Sequence, residues 1–524
     1  MNAIVETRNG RLQGIAHADH LEFRGIPYAL PPLGRLRLSA PQPIPAWEGI
    51  LRADRFTDPC PQALNPLHGI TRTSEDCLSL NIWAPPLNGH NKPVMVWIHG
   101  GGFSSGAGSQ LMYHGKDLAL HGDTIVITLN YRLGVFGFLH LDHLLSGTDN
   151  EFPPASNVGL RDIVVALKWV QENIEAFGGD PSQVTLFGES AGAMAITCLL
   201  TSPYAKGLFK RAILQSGGAD FILTRDEADE IARHFLKSEP IAQVLGTASG
   251  SAALALLRNL SVETLLKGQQ ACQLLYYNRG PYLQQVIQRG MTLIPVIDGD
   301  FLPQAPLKAL QEGVAKEIPL LISCTRDEWN LFLHAPEADG TTLAKRRYAH
   351  LDKSRLISLC ERRLPGLGER AANLYEEMVP RWIDTPTALD IFSAFESDRL
   401  FRIPSIRIAE AQANFRKDVY MAHFDFDEGP MGACHGIDLP LVFGHTQTPM
   451  GTALIGNNTA NQRLSEQVQG AWIAFARSGN PSSDAIGCWS PWLAGAPSTL
   501  IFSRTAHMGK DPVSLTRKLW EGIL

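Results

Sequence analysis

Apolar residues along this chain follow two rhythms. Short, nearly unbroken runs at Val94–Ile98, Thr124–Leu129 and Val184–Phe187 are rich in β-branched residues, the pattern of strands buried on both faces. Between the second and third runs, Arg161–Phe177 spaces Ile163, Val164, Ala166, Leu167, Val170 and Ile174 as a helix would, and it ends at Gly178-Gly179. After the third run, Ala191 to Leu200 is rich in Ala, Met and Leu, another helix. Strand, helix, strand, turn, helix predicts an α/β fold with a doubly wound, mostly parallel sheet. Arg211–Gln215, Pro319–Cys324 and Asp418–Phe426 read as further strands. Residues 220–400 are otherwise mainly helical. Ala344–Leu364, Glu369–Met378 and Ala388–Phe395 mix charges with apolar stripes, which suits either ordinary packing helices or a lid lining a gorge. No repeat, low-complexity tract or linker divides the chain, so residues 1–524 are expected to form one domain with helical insertions at about 220–400.

The turn between the third strand and its helix carries the most specific chemistry. Gly188-Glu189-Ser190-Ala191-Gly192 is a G-x-S-x-G pattern in the strand–turn–helix setting of a nucleophile elbow. Such a turn lifts the Ser hydroxyl clear of the backbone, at a helix N-terminus that favours negative charge. A second match, Gly102-Phe103-Ser104-Ser105-Gly106, follows a strand but opens no helix, so Ser104 reads as a loop residue and Ser190 as the nucleophile. That second match overlaps His99-Gly100-Gly101-Gly102-Phe103. A glycine run lying ahead of an elbow suits a loop whose backbone N–H groups approach an oxyanion closely.

Composition narrows the partners. The chain has 46 Lys and Arg against 52 Asp and Glu, a net charge of −6, and no basic run, which argues against nucleic acid and anionic membranes. The first residues, Met1 to Arg8, lack an apolar signal core, and no run reaches membrane-spanning length, so a soluble, cytoplasmic protein is expected. Its eight Cys include no C-x-x-C pair, and in a reducing compartment all eight would be free thiols. The sequons at Asn259 and Asn457 would then go unused. His140-Leu141-Asp142-His143 hints at a metal site but lacks further ligands at suitable spacing, so neither metal nor cofactor is expected.

Several segments together resemble the type B carboxylesterases, the α/β-hydrolase group that also includes cholinesterases and neuroligins. They include Phe23–Ala29, Glu75–Asn81, the His99 glycine loop, Asn130–Gly134, Phe177–Pro181, the Ser190 elbow, Gln215-Ser216-Gly217, Pro295–Gly299 and Trp472–Pro481. The resemblance spans nearly the whole chain. It implies an α/β-hydrolase fold and a triad in the order Ser, acid, His. Its acid aligns with Glu328 in Arg326-Asp327-Glu328, with Asp327 the competitor, although the Gly usual after that acid is Trp329 here. Its base aligns with His435 in Gly432–Pro440, whereas His423 and His445 read as structural. Ser156-Asn157 stands where the family commonly has Gly-Asn before Gly-Leu-x-Asp, a change in a supporting helix. Cys60 and Cys77 fall where secreted members close a disulfide loop. Residues 61–76 contain no Trp, so a choline ester is a poor substrate candidate.

The expected reaction is hydrolysis of a small-molecule ester through an acyl-enzyme. His435 serves as base, Glu328 orients it, and the N–H groups of Gly101, Gly102 and Ala191 receive the oxyanion. The rival readings are a non-catalytic, neuroligin-like binding protein, and an amidase or peptidase using the same triad.

Overall fold

Every apolar run anticipated as a strand forms one: Lys92–Ile98, Ile125–Leu129, Gly179–Glu189, Arg211–Gln215, Leu320–Thr325 and Val419–Phe424. Their side chains are buried on both faces along most of their length, which is why their sequences run apolar instead of alternating. The computed structural model describes residues 2–523 apart from 87, 88, 90, 146, 148, 277–290, 337–339, 427, 511 and 513. They fall into two compact units, residues 1–212 with 219–318, and residues 213–218 with 319–524. The helical stretch expected over 220–400 is divided between these units, and its 277–290 and 337–339 segments lie outside the described residues.

In the first unit the strands lie in the order Asn2–Thr7, Gly10–Ala16, Leu21–Pro27, Ser79–Ala84, Ile125–Leu129, Lys92–Ile98, Gly179–Glu189. Pairing is antiparallel as far as Ile125–Leu129 and parallel beyond it. The expected parallel sheet is thus entered through an antiparallel meander, and the whole is mixed. Val94 lies opposite Val184 and Ile98 opposite Gly188, so the Ser190 turn leaves the carboxyl end of a parallel pair. Ligands of open α/β sheets bind at that end. A buried ion pair braces this region: Asp162 of the Val158–Asn173 helix accepts from both Nε and Nη2 of Arg132, at 2.9 and 2.7 Å.

In the second unit, Leu320–Thr325 and Val419–Phe424 run parallel, Ser498–Phe502 joins parallel, and His507–Lys510 adds antiparallel. Ile213–Gln215 lies beside Leu320–Thr325. The single helix anticipated over Ala344–Leu364 is two, Leu343–Tyr348 and Lys353–Arg363. Asp352 makes the break, because its carboxylate caps the second helix by accepting from the Arg355 N–H at 2.8 Å. Among the described residues no helix is long and apolar enough to cross a membrane.

Candidate active site

Ser190 has φ 56° and ψ −126°, a conformation that L side chains rarely adopt. It is held between the Gly179–Glu189 strand and the Ala191–Thr201 helix, half-buried, in the N-cap position. The glycines around it answer to close packing. A Cβ on Gly192 would lie 1.9 Å from the Ile98 carbonyl oxygen, and one on Gly188 would lie 2.7 Å from it. The elbow therefore presses directly on the end of the neighbouring strand.

The glycine loop leaves that same strand end and folds over the elbow. A Cβ on Gly100 would sit 3.1 Å from the Ser190 Cβ. Gly101 and Gly102 follow with φ +108° and +61°, and among the described residues their N–H groups donate to no acceptor. The surroundings are hydrogen-bonded. Ser104 and Ser105 N–H groups donate to the Gly101 carbonyl, and Gln62 exchanges two hydrogen bonds with Gly106, at 2.7 and 2.9 Å. His99 stacks on Tyr131 with 4.5 Å between ring centroids. Burial pushes its pKa down to about 4, against the opposing pull of the Gly100 carbonyl, so it is a neutral structural group. Ser104 lies in a turn that opens no helix, as its sequence context indicates.

In the second unit, Glu328 follows the Leu320–Thr325 strand and is fully buried. Its Oε2 lies 2.6 Å from His435 Nδ1. Its Oε1 accepts from the Ser216 hydroxyl at 2.7 Å and from the Thr325 N–H at 2.8 Å. Asp327 points elsewhere: it accepts from the Ala433 N–H at 3.0 Å and pairs with Arg326. Asp327 thus clips the His435 loop to the acid turn, and Glu328 is the carboxylate on the imidazole. The rings of Phe401 and Phe332 flank His435 at 4.6 and 5.3 Å.

The Carboxylesterase family model matches residues 1–513. The chain is 40% identical to the para-nitrobenzyl esterase of Bacillus subtilis (strain 168), covering 98% of each protein. The chain belongs to the carboxylesterase family. Phenmedipham hydrolase of Pseudarthrobacter oxydans is 31% identical over 95% of this chain and 94% of its own. The Geobacillus stearothermophilus carboxylesterase structure superposes with a TM-score of 0.83 at 35% identity, covering 99% of each chain. This carboxylesterase is accordingly a serine hydrolase of carboxylic esters with the α/β-hydrolase fold. Neither the binding-protein reading nor the amidase reading gains support from these relatives.

Other candidates resolve differently. His140 Nε2 lies 2.9 Å from the Ile294 carbonyl and His143 Nδ1 lies 2.5 Å from Asp229, so the two imidazoles of the His140–His143 segment have separate partners. His423 is buried in its strand, and burial together with Arg402 and Arg326 drives its pKa well below the usual value. Two features escaped sequence reasoning. Ser216, inside the Gln215-Ser216-Gly217 match, holds Glu328 from 112 residues away. Arg402, in a π-helical turn at Asp398–Arg402, donates to the carbonyls of Thr325 and Arg326 at the base of the acid turn, and Asp398 pairs with it. A family-wide G-x-S-x-G can be found by pattern; a hydroxyl or guanidinium acting across the fold cannot.

Proposed function

We propose that Ser190, Glu328 and His435 act as one catalytic triad, with Gly101, Gly102 and Ala191 supplying the oxyanion hole. His435 takes the Ser190 proton as the hydroxyl attacks the ester carbonyl. Glu328 keeps the Nδ1 proton in place and stabilises the imidazolium. The three N–H groups receive the developing oxyanion, each worth roughly 3 kcal/mol in the transition state. His435 returns the proton to the departing alcohol, and water then releases the acyl group by the same steps. The observation that carries this reading is the buried Glu328–His435 hydrogen bond at 2.6 Å, in a family that hydrolyses esters with a serine. Because the assigned residues come from both units, the whole chain works as one catalytic domain in this reading.

The substrates proposed are small to medium, largely apolar esters. Phe332, 39% exposed beside His435, supports an apolar substrate face, as does the similarity to a para-nitrobenzyl esterase. Comparing p-nitrophenyl esters of increasing acyl length with peptide anilides tests this. Turnover of the esters is expected and turnover of the anilides is not; efficient anilide cleavage would transfer the protein to amide chemistry.

The glycine loop offers a direct check on the oxyanion assignment. In Gly101→Ala, a Cβ would meet the Ser105 carbonyl oxygen at 2.2 Å in a backbone conformation that disfavours any side chain. The loop must shift, and kcat is expected to fall roughly 10²–10³-fold, the usual cost of one lost donor. A kcat within twofold of wild type would remove Gly101 from the oxyanion hole.

A cytoplasmic location without membrane or nucleic-acid partners completes the proposal, and Cys60 and Cys77 test the compartment. Both are free, buried thiols, and the neighbouring Cys60 thiol together with burial pushes the Cys77 thiol well above its usual pKa. The Leu133 N–H also donates to Cys60 Sγ at 3.2 Å. Protein taken from its native cells and denatured without reductant is expected to show eight titratable thiols. Six thiols, with a mass-mapped Cys60–Cys77 link, would place the protein in an oxidising compartment.

A further inference from the structure

The second hairpin gathers a set of donors that hydrolysis of an ester does not use. Strands Gly10–Ala16 and Leu21–Pro27 are joined by a tight turn closed by a hydrogen bond from the His17 N–H to the His20 carbonyl. One ring nitrogen each from His17 and His20, and one carboxylate oxygen of Glu22, lie within 4.8 Å of one another. We propose that His17, His20 and Glu22 form a binding site for a divalent transition-metal ion of the zinc class, with water completing the coordination.

The donor set matches that chemistry. Two imidazoles and a carboxylate with an open fourth position are a common zinc ligand set, and imidazole selects against magnesium and calcium. Glu22 is 1% exposed, and its carboxylate is held in place by Arg24. The two carboxylate oxygens divide their work. Oε1 accepts from Arg24 at 2.6 Å and lies 3.3 Å from His114, while Oε2 faces His17 Nε2 at 3.2 Å. A cation on Oε2 therefore leaves the Arg24 ion pair standing.

His20 has an outer carboxylate of the kind that holds metal-ligating imidazoles. Asp19 sits 2.7 Å from its Nδ1, which leaves Nε2 as the nitrogen with a lone pair. The positive charges of Arg24 and of Lys116, 3.4 Å from Asp19, moderate the affinity without occupying Oε2. One rearrangement is required. The His17 and His20 rings stack 4.1 Å apart at an interplanar angle of 2°, whereas tetrahedral ligands with bonds of 2.0–2.1 Å bring nitrogens to about 3.3 Å. The His17 side chain is 39% exposed at the turn, so it can swing out of the stack while the buried His20 and Glu22 stay in place.

The test is calorimetric titration of Zn²⁺ into full-length enzyme stripped with EDTA, compared with His17→Ala and Asp19→Asn. Wild type is expected to bind one equivalent that His17→Ala lacks, and Asp19→Asn to bind it about tenfold more weakly. Magnesium should give no heat at this site. Unchanged p-nitrophenyl ester hydrolysis by both variants, with and without EDTA, shows that they are folded and that the ion stands apart from the reaction. No binding by wild type, or the same number of equivalents in His17→Ala, would overturn the site. So would metal-dependent ester hydrolysis, which would place the ion in the catalytic path.

Discussion

Ser190→Ala is expected to remove roughly six orders of magnitude from kcat, leaving only what the oxyanion donors and substrate binding contribute. The size follows from what is lost. Without the hydroxyl no acyl-enzyme forms, and the remaining groups can only assist a water that the site is not shaped to aim. The fold should be indifferent to this change. The strain at Ser190 lies in its backbone, at φ 56°, and Ala keeps the Cβ that makes this conformation costly. The melting temperature of Ser190→Ala is therefore expected to match wild type. Ser190→Gly, equally inactive, should melt higher because it relieves about 1–3 kcal/mol of strain. Ser104→Ala, altering the other G-x-S-x-G serine, is expected to keep wild-type turnover within a few-fold. Equal losses at Ser104 and Ser190, measured by active-site titration and p-nitrophenyl ester hydrolysis, would defeat the nucleophile assignment.

What could be read from the sequence was whatever depends on neighbours along the chain. Unbroken apolar runs marked Lys92–Ile98 and Val419–Phe424 because both faces of these strands are buried. The elbow was legible because its glycines, serine and flanking elements are contiguous, and the packing reason for Gly192 lies in the strand it presses on. The acid turn was less legible. Asp327 and Glu328 are adjacent carboxylates that local pattern alone does not separate, and family resemblance was needed to choose between them. Only in three dimensions does Asp327 turn to the Ala433 N–H and Arg326 while Glu328 turns to His435. Ser216 and Arg402 were invisible for the same reason, since each acts on the acid turn from an element distant in sequence. The helix break before Asp352 was local, yet the apolar stripe through Ala344–Leu364 masked a capping residue that outcompeted it. His17, His20 and Glu22 come together only once their turn folds, whereas the imidazoles of His140 and His143, neighbours in sequence, have separate partners.

Glu328→Gln should cost about 10⁴-fold in kcat, a loss of the size seen when a triad carboxylate becomes an amide. The surroundings of Glu328 dictate how the amide must sit. Its Oε1 position accepts from two donors, the Ser216 hydroxyl and the Thr325 N–H. Only the carbonyl end of Gln can occupy that position, because an amide NH₂ there would oppose the Thr325 N–H. The NH₂ is then turned toward His435 Nδ1, 2.6 Å from the wild-type carboxylate oxygen. A donor at that place forces Nδ1 to accept, so the imidazole proton moves to Nε2 and the lone pair needed to deprotonate Ser190 disappears. The anion that would stabilise the imidazolium is lost in the same substitution. Asp327→Asn differs in kind: it weakens the clip to Ala433 and Arg326 but leaves the Glu328–His435 hydrogen bond, so a loss of tenfold or less is expected. The pH profile separates the two effects. Asp327→Asn should keep the wild-type shape of the kcat/KM profile, whereas Glu328→Gln should show its deficit at every pH where wild type is active. If Asp327→Asn costs as much as Glu328→Gln, or Glu328→Gln keeps more than a hundredth of wild-type kcat, then Glu328 is not the residue that orients the base.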